Sequence, residues 1–221
     1  MRRAISIFVL YLAAACAPQA FGGSAPPQSA RVVDRIVARI EGDIILESQV
    51  RELGAFQQLI EGRAESDDKL LEELIQQWVV ETEASASHFP LAAKSEVDRE
   101  LLRISQQFAS PEKYASRLNE LGLSSTQVRQ LLTRQIYVER YVDYKFRPSV
   151  QIEPADIDAY YKKELVPELA KNNQPAPDRA AVEQQVREVL IQRGISELTV
   201  KWLDDTKSRL KIEIETPGGK P

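Results

Sequence analysis

The chain has 221 residues, 43% hydrophobic and 28% charged, which is typical of a folded protein, and its formal net charge of −4 leaves no positive surplus for binding a nucleic-acid backbone. One His and one Cys are too few for a zinc site, which needs three or four N or S ligands, and a Ser–His or Cys–His pair would have to use His88 or Cys16. No GxxxxGK[ST] or GxGxxG phosphate-binding motif is present. We therefore expect a binding protein rather than an enzyme, with no cofactor, no metal and no nucleic-acid partner.

Residues 1–30 have the pattern of an export signal followed by a leader. Arg2 and Arg3 precede an apolar run at residues 4–15 that is too short to cross a bilayer comfortably. A small-residue stretch rich in Pro and Gly follows and ends at Ala30. This pattern predicts that the protein is exported.

Cys16 follows three alanines and has two interpretations. It is either the lipidated cysteine of a bacterial lipoprotein, which would tether the mature protein by acyl chains, or it leaves with the cleaved signal. Ala13 stands where lipoprotein signals usually place Leu. In both cases the mature chain has no cysteine pair, so packing alone must hold it together.

A short β-hairpin is predicted next. Residues 32–40 are rich in β-branched side chains, Glu41-Gly42-Asp43 supplies a turn, and an apolar run resumes at residues 44–46. Ser48 is a candidate N-cap for the helix that follows. Two strands alone bury little surface, and the alternating residues 210–215 are the candidate third strand.

Most of the chain between these strands has helical periodicity. Acids at Asp67-Asp68 begin one helix, which ends near His88-Phe89-Pro90. A later helix begins at Ser110-Pro111 and ends at Gly122, and Ser124 or Ser125 caps the next, which ends at Arg147-Pro148. These signals predict a succession of amphipathic helices.

Apolar stripes indicate the buried faces of these helices. One stripe consists of Leu71, Leu74, Ile75, Trp78 and Thr82, the next of Val97, Leu101, Ile104 and Phe108, and a third of Val128, Leu131, Leu132, Val138 and Val142. Trp78 and Trp202 lie in such stripes and are expected in the core. The acidic pairs Asp67-Asp68, Glu72-Glu73 and Asp204-Asp205 are expected on solvated helix faces.

The C-terminal part begins with a Pro-rich stretch, residues 165–178, which reads as a linker. Residues 179–209 have the pattern of one long helix, and Gly194 is expected to weaken or bend that helix. Residues 216–221 are expected to be a frayed tail. The predicted fold is mainly α, with a small β-hairpin joined by a C-terminal strand.

The order and the local sequences of these segments resemble those of the N-terminal chaperone domain of the SurA-type periplasmic chaperones. The similar segments are 33–50 (the opening hairpin and first helix), 108–123 (a helix–Gly-Leu–helix step), 147–161 (the lead into a parvulin prolyl-isomerase domain) and 182–213 (the helix and strand after it). The family usually has Asn where this chain has Glu41. The resemblance covers residues 32–215 and implies that residues 31–164 and 179–215 build one helical core.

The main departure from the family is the missing parvulin domain. Only residues 165–178 stand where that domain of about a hundred residues would be. The His and Met residues that parvulin sites use are not available, so we expect no prolyl-isomerase activity; its detection would contradict this interpretation. The resemblance implies a periplasmic, ATP-independent holdase that binds unfolded outer-membrane or secreted proteins through apolar grooves.

A second hypothesis belongs to another class of protein. The same fold would serve a non-catalytic adaptor or assembly subunit, with or without a lipid anchor, that binds one folded partner or a second copy of itself. The Pro-rich residues 165–178 would let the C-terminal helix cross to another protomer and form a swapped homodimer.

Tyrosines are the candidate client-binding residues. Tyr137, Tyr141 and Tyr144 form a stripe of rings with polar edges, which suits an adaptable interface, although the same rings would also pack well on the long C-terminal helix. Tyr160 and Tyr161 cannot both face inward from one short helix, so one is expected to be exposed or to pack at the rim. His88 is expected near a helix C-terminus, without a catalytic role.

Overall fold

The computed structural model describes residues 34–215, of which 71% are helical, together with a small three-stranded antiparallel sheet. The predicted export signal, Cys16 and the C-terminal tail lie outside the described residues. The strands are β1 (Ile36–Ile40), β2 (Asp43–Leu46) and β3 (Ile212–Ile214). The helices are α1 (Glu47–Ile60), α2 (Asp67–Ala86), α3 (Lys94–Ser105), α4 (Pro111–Leu121), α5 (Ser125–Phe146), α6 (Pro154–Tyr160), α7 (Val166–Lys171) and α8 (Arg179–Lys207).

The sheet joins the first and last parts of the described chain. Its strand order is β2-β1-β3, and Ile40 of β1 is paired with Ile212 of β3. The prediction that a C-terminal strand completes the hairpin is therefore confirmed. Glu41 and Gly42 have φ values of 51° and 106°, which match the two-residue type I′ turn that suits the twist of a hairpin.

The first helix begins earlier than the sequence indicates. Leu46, not Ser48, occupies the N-cap position of α1, and its backbone N–H donates to Oε1 of Gln49 at 2.8 Å. Ser48 lies inside the first turn, where its backbone N–H and hydroxyl both bond the carboxylate of Asp34. The predicted cap was wrong because this serine pairs with a more distant carboxylate.

The other helix boundaries follow the local signals closely. Ser110 Oγ accepts a hydrogen bond from the backbone N–H of Lys113 at the start of α4, and Gly122 ends that helix with a φ of 68°. Ser124, rather than Ser125, caps α5 by accepting from the backbone N–H of Gln127. The short-range prediction of α4 and of the start of α5 is confirmed.

The buried face of α2 is broader than the predicted stripe and is rotated from it. Leu70, Leu74 and Ile75 are buried, whereas Leu71 is half-buried and Thr82 is exposed. The reason is that α2 contacts α1, α5 and α8 on different sides, so no single narrow stripe describes it. Trp78 is also only half-buried, and its indole Nε1–H donates to Oδ2 of Asp43 at 2.8 Å.

The predicted linker is partly helical. α6 continues through a π-helical turn (Tyr161–Leu165) into α7, so only residues 172–178 of the stretch 165–178 are irregular. The long helix α8 is continuous through Gly194, the position at which the sequence predicts a weaker or bent helix. Val150 packs so closely there that a Cβ at position 194 would lie 2.7 Å from its Cγ1.

Three buried clusters form the core. The first joins the sheet to α1 and α2, the second joins α1, α3, α4 and α5, and the third joins α2, α5 and α8. The helices α1, α2 and α5 each contribute to two of these clusters, and α8 contributes to the third. The space between these four helices contains the candidate site.

Candidate functional site

An open groove of about 290 Å³ lies between α1, α2, α5 and α8. Its apolar lining consists of Leu53, Phe56, Ile60, Val80, Leu131, Val138, Val142 and Leu203. Ile60, Leu131, Val138 and Val142 are only half-buried, so the groove presents apolar surface to solvent. A concave apolar surface with a few polar groups at its edge is the usual form of a binding site for a ligand or a chain segment.

Amide side chains make up much of the polar edge of the groove. The polar lining residues are Gln57, Gln76, Gln77, Gln135, Thr199, Glu61, Glu73 and Glu139. A glutamine amide both donates and accepts hydrogen bonds. Gln57 is buried and uses both ends of its amide within the protein. Gln76, Gln77 and Gln135 can bond either the N–H or the C=O of an extended peptide backbone, whatever its side chains.

A hydrogen-bond network holds the carboxylate of Glu73 at the wall of the groove. Gln57 is 8% exposed, and its Nε2 donates to Oε2 of Glu73 at 2.8 Å. Its Oε1 accepts from the backbone N–H of Glu65 at 3.0 Å, and Nε2 of Gln77 donates to the other carboxylate oxygen of Glu73 at 3.1 Å. The Glu73 side chain is thus fixed in place by two glutamines.

The groove carries negative charge without a matching cation. Among the described residues, no Lys or Arg lines it, while Glu61, Glu73 and Glu139 do. Burial raises the pKa of Glu73, and the nearby charge of Glu61 adds to this effect, although hydrogen bonds from Gln77 and Gln57 oppose it. The hydrogen bonds therefore offset only part of the cost of removing this carboxylate from water.

Other acids of α2 are neutralised locally. Glu72, Glu81 and Glu83 each form an ion pair with a Lys or Arg of α5 or α8. The lack of a cationic partner in the groove is therefore a feature of that site rather than of the whole helix. Glu73 was expected on a solvated face, and the structure instead places it, half-buried, in the groove.

Two of the predicted client-binding tyrosines are covered by other side chains. Tyr137 and Tyr141 are 8% and 3% exposed and pack in the cluster that joins α2, α5 and α8. Tyr144 is 65% exposed, with its ring centroid 5.2 Å from that of Phe89. None of the three lines the groove.

The other two tyrosines lie at the junction of α6 with α8. Tyr160 and Tyr161 are both half-buried. The guanidinium of Arg193 lies 5.4 Å from the Tyr160 ring centre, and the Tyr161 hydroxyl donates to the backbone carbonyl of Pro177 at 2.5 Å. Both rings therefore pack at the partly exposed edge of this junction. The structure does not bring the five tyrosines together on one surface.

The sequence signals identified part of the groove without identifying it as a site. Leu131, Val138 and Val142 were expected to point inward from α5, and they do face neighbouring helices, but no element covers them completely. The sequence does not identify the glutamines of the groove as site residues. They lie beside apolar positions on α1, α2 and α5, which is the only feature of the sequence that indicates their role. Only the packing of the helices shows that they converge on one groove.

Comparisons with protein-family models and with curated proteins give no match. Within residues 34–215, no group of His, Cys, Asp and Glu side chains is arranged to hold a metal ion. None of the helices in this range is long and apolar enough to cross a membrane. The properties of the groove itself are therefore the basis for the functional proposal.

Proposed function

We propose that this protein is an ATP-independent holdase of the periplasm that binds unfolded outer-membrane or secreted proteins in the groove between α1, α2, α5 and α8. The observation that carries the proposal is a solvent-accessible apolar groove with an amide-rich edge. The likeness of residues 32–215 to SurA-type chaperones supports the same function and suggests the compartment. We also propose that the protein acts without catalysis.

The size of the groove suits a short part of a chain. Pockets for whole small-molecule ligands usually measure roughly 300–1,000 Å³, and this groove, at about 290 Å³, is at the lower end and open. Two or three apolar side chains of an extended segment would fill it. The rest of the client would remain outside, so one site serves clients of any length.

The expected affinity is also appropriate for a holdase. Burying one large apolar side chain contributes about 1.5–3 kcal/mol, and immobilising the partners consumes much of the gain from two or three of them. Net binding would therefore be weak, with dissociation constants of roughly micromolar to millimolar. Weak binding allows release of the client without ATP hydrolysis.

The test is aggregation of an unfolded outer-membrane barrel protein diluted from urea, followed by light scattering. We expect stoichiometric amounts of the protein to suppress aggregation. Leu131→Gln, which adds polarity to the groove, should weaken this suppression, whereas Leu102→Gln should not, because Leu102 is 56% exposed on α3 and lies outside the groove. Circular dichroism would verify that both variants are folded.

Two results would contradict the proposal. One is the absence of suppression at a stoichiometric ratio, and the other is equal loss of suppression in the Leu131→Gln and Leu102→Gln variants. Recovery of a single folded partner in stoichiometric amount from an exported fraction, or a swapped dimer in light scattering, would instead favour the adaptor hypothesis.

A further inference from the structure

We propose, on the basis of the function proposed above, that the groove selects client segments in which apolar residues are flanked by Lys or Arg, and that Glu73 is the residue that receives the cationic side chain. Apolar contacts would provide most of the affinity. The charge of the groove would determine which apolar segments are accepted.

The position of Glu73 is suited to this role. Its carboxylate is held by one hydrogen bond from Gln57 and one from Gln77, at 2.8 and 3.1 Å. An ionised carboxylate has about four lone-pair sites, so these two bonds leave acceptor capacity for a ligand. The side chain is therefore ordered before binding, and a client cation would not need to fix it.

The charge around Glu73 has the same sign throughout the groove lining. Glu61 directly follows the end of α1, Glu73 lies on α2 and Glu139 lies on α5, so carboxylates from three parts of the fold line one concavity. No Lys or Arg lining residue in the described part of the chain offsets them. A cationic segment would complement this charge, and an acidic segment would be repelled.

The glutamine edge and the carboxylates have different tasks in this scheme. The amides can bond the backbone of any extended segment, which gives no discrimination between sequences. The carboxylates discriminate by charge alone, and a charged interaction at a partly exposed site weakens as salt increases. The structure therefore favours a binding site that is permissive for apolar sequence but selective for charge.

The experiment uses three fluorescein-labelled peptides with one shared apolar core, flanked by Lys, by Gln or by Glu. Binding to the protein is measured by fluorescence anisotropy at low and at high salt. We expect the Lys-flanked peptide to bind roughly tenfold more tightly than the Glu-flanked one, with the Gln-flanked peptide between them, and the difference to shrink at high salt.

Two variants locate the selectivity. Glu73→Gln should remove much of the preference for the Lys-flanked peptide and leave binding of the Gln-flanked peptide nearly unchanged. Glu197→Gln is the matched control, because Glu197 is an exposed carboxylate of α8 that does not line the groove, and it should preserve the preference.

The outcomes separate the two proposals. If none of the peptides binds, the holdase proposal fails. If all three bind equally, or the Glu-flanked peptide binds best, the groove still binds chains but the charge selection proposed here is wrong. If the Lys preference persists in Glu73→Gln, the assignment of the cation to Glu73 is overturned.

Discussion

Glu41 and Lys211 lie 170 positions apart in the chain and are joined by two hydrogen bonds. The backbone N–H of Lys211 donates to Oε1 of Glu41 at 2.6 Å, and the backbone N–H of Glu41 donates to the carbonyl oxygen of Lys211 at 3.1 Å. Glu41 has a φ of 51°, which is unfavourable for a residue with a side chain. A partner from the far end of the chain thus stabilises the hairpin turn.

Glu41→Ala should lower the free energy of unfolding by about 1 kcal/mol, because it removes the side-chain acceptor of the Lys211 N–H. Urea denaturation measures this change. Glu168→Ala is the control: it removes an exposed ion pair within α7, with Lys171, and should cost less than about 0.5 kcal/mol. Equal effects of the two substitutions would show that the Glu41 bond contributes nothing to closure of the sheet.

Gly194→Ala should destabilise the protein, although Gly→Ala inside a helix ordinarily stabilises it by about 0.5–1 kcal/mol. The added Cβ would lie 2.7 and 3.1 Å from the two γ-carbons of Val150, and relieving such crowding costs about 1–3 kcal/mol. A double-mutant cycle with Val150→Ala measures the coupling. The smaller residue at 150 should recover most of the loss, whereas a stabilising Gly194→Ala would contradict the close packing of α8 on Val150.

Glu73→Gln should make the protein more stable at pH 7. Burial raises the pKa of Glu73 above its usual 4.5, so the folded protein binds this proton more tightly than the unfolded chain does. The wild-type protein therefore loses stability as pH rises from about 4.5 through the raised pKa, and the variant does not. Urea denaturation at pH 4 should give nearly equal free energies of unfolding for the variant and the wild type.

A lower stability of Glu73→Gln at pH 7 would mean that the hydrogen bonds from Gln57 and Gln77 outweigh the cost of burying the charge. The predicted gain in stability, combined with the loss of selectivity for cationic peptides, would indicate a residue retained for binding at the expense of stability.

The ion pair between Arg147, which directly follows α5, and Glu188 of α8 should be visible in an acid titration. Bonds from Arg147 and Gln192 lower the pKa of Glu188 to about 2. Any stability that this pair supplies is present above the usual pKa of 4.5 and is lost as pH falls toward 2. Arg147→Gln should return the NMR titration midpoint of Glu188 toward 4.5, and an unchanged midpoint would contradict the pairing.

Local chemistry made many helix boundaries predictable. Ser110, Gly122 and Ser124 perform the capping functions that their residue types favour, and the alternation in residues 210–215 identified the strand that closes the sheet. These features depend on a few neighbouring residues or on one complementary pattern. Ser48 shows the limit, since its partner Asp34 lies 14 positions away.

The groove was not predictable in the same way. The period of α5 places Val128 and Leu132 on an apolar face together with Leu131 and Val138, yet the first two are buried and the others are half-buried. Periodicity identifies an apolar face but does not reveal whether another helix covers it. That depends on the packing of α1, α2 and α8 around α5, which no single segment encodes.

The most direct measurement is disulfide trapping of a client, performed in a Cys16→Ser background to remove the native thiol. A single cysteine is placed at Gln76, on the edge of the groove, or at Gln107, which is exposed beyond α3. The client is an unfolded outer-membrane barrel protein with one cysteine in a Lys-flanked apolar segment. We predict efficient trapping at position 76 and little at 107, whereas equal trapping at both positions would show that the groove is not where clients bind.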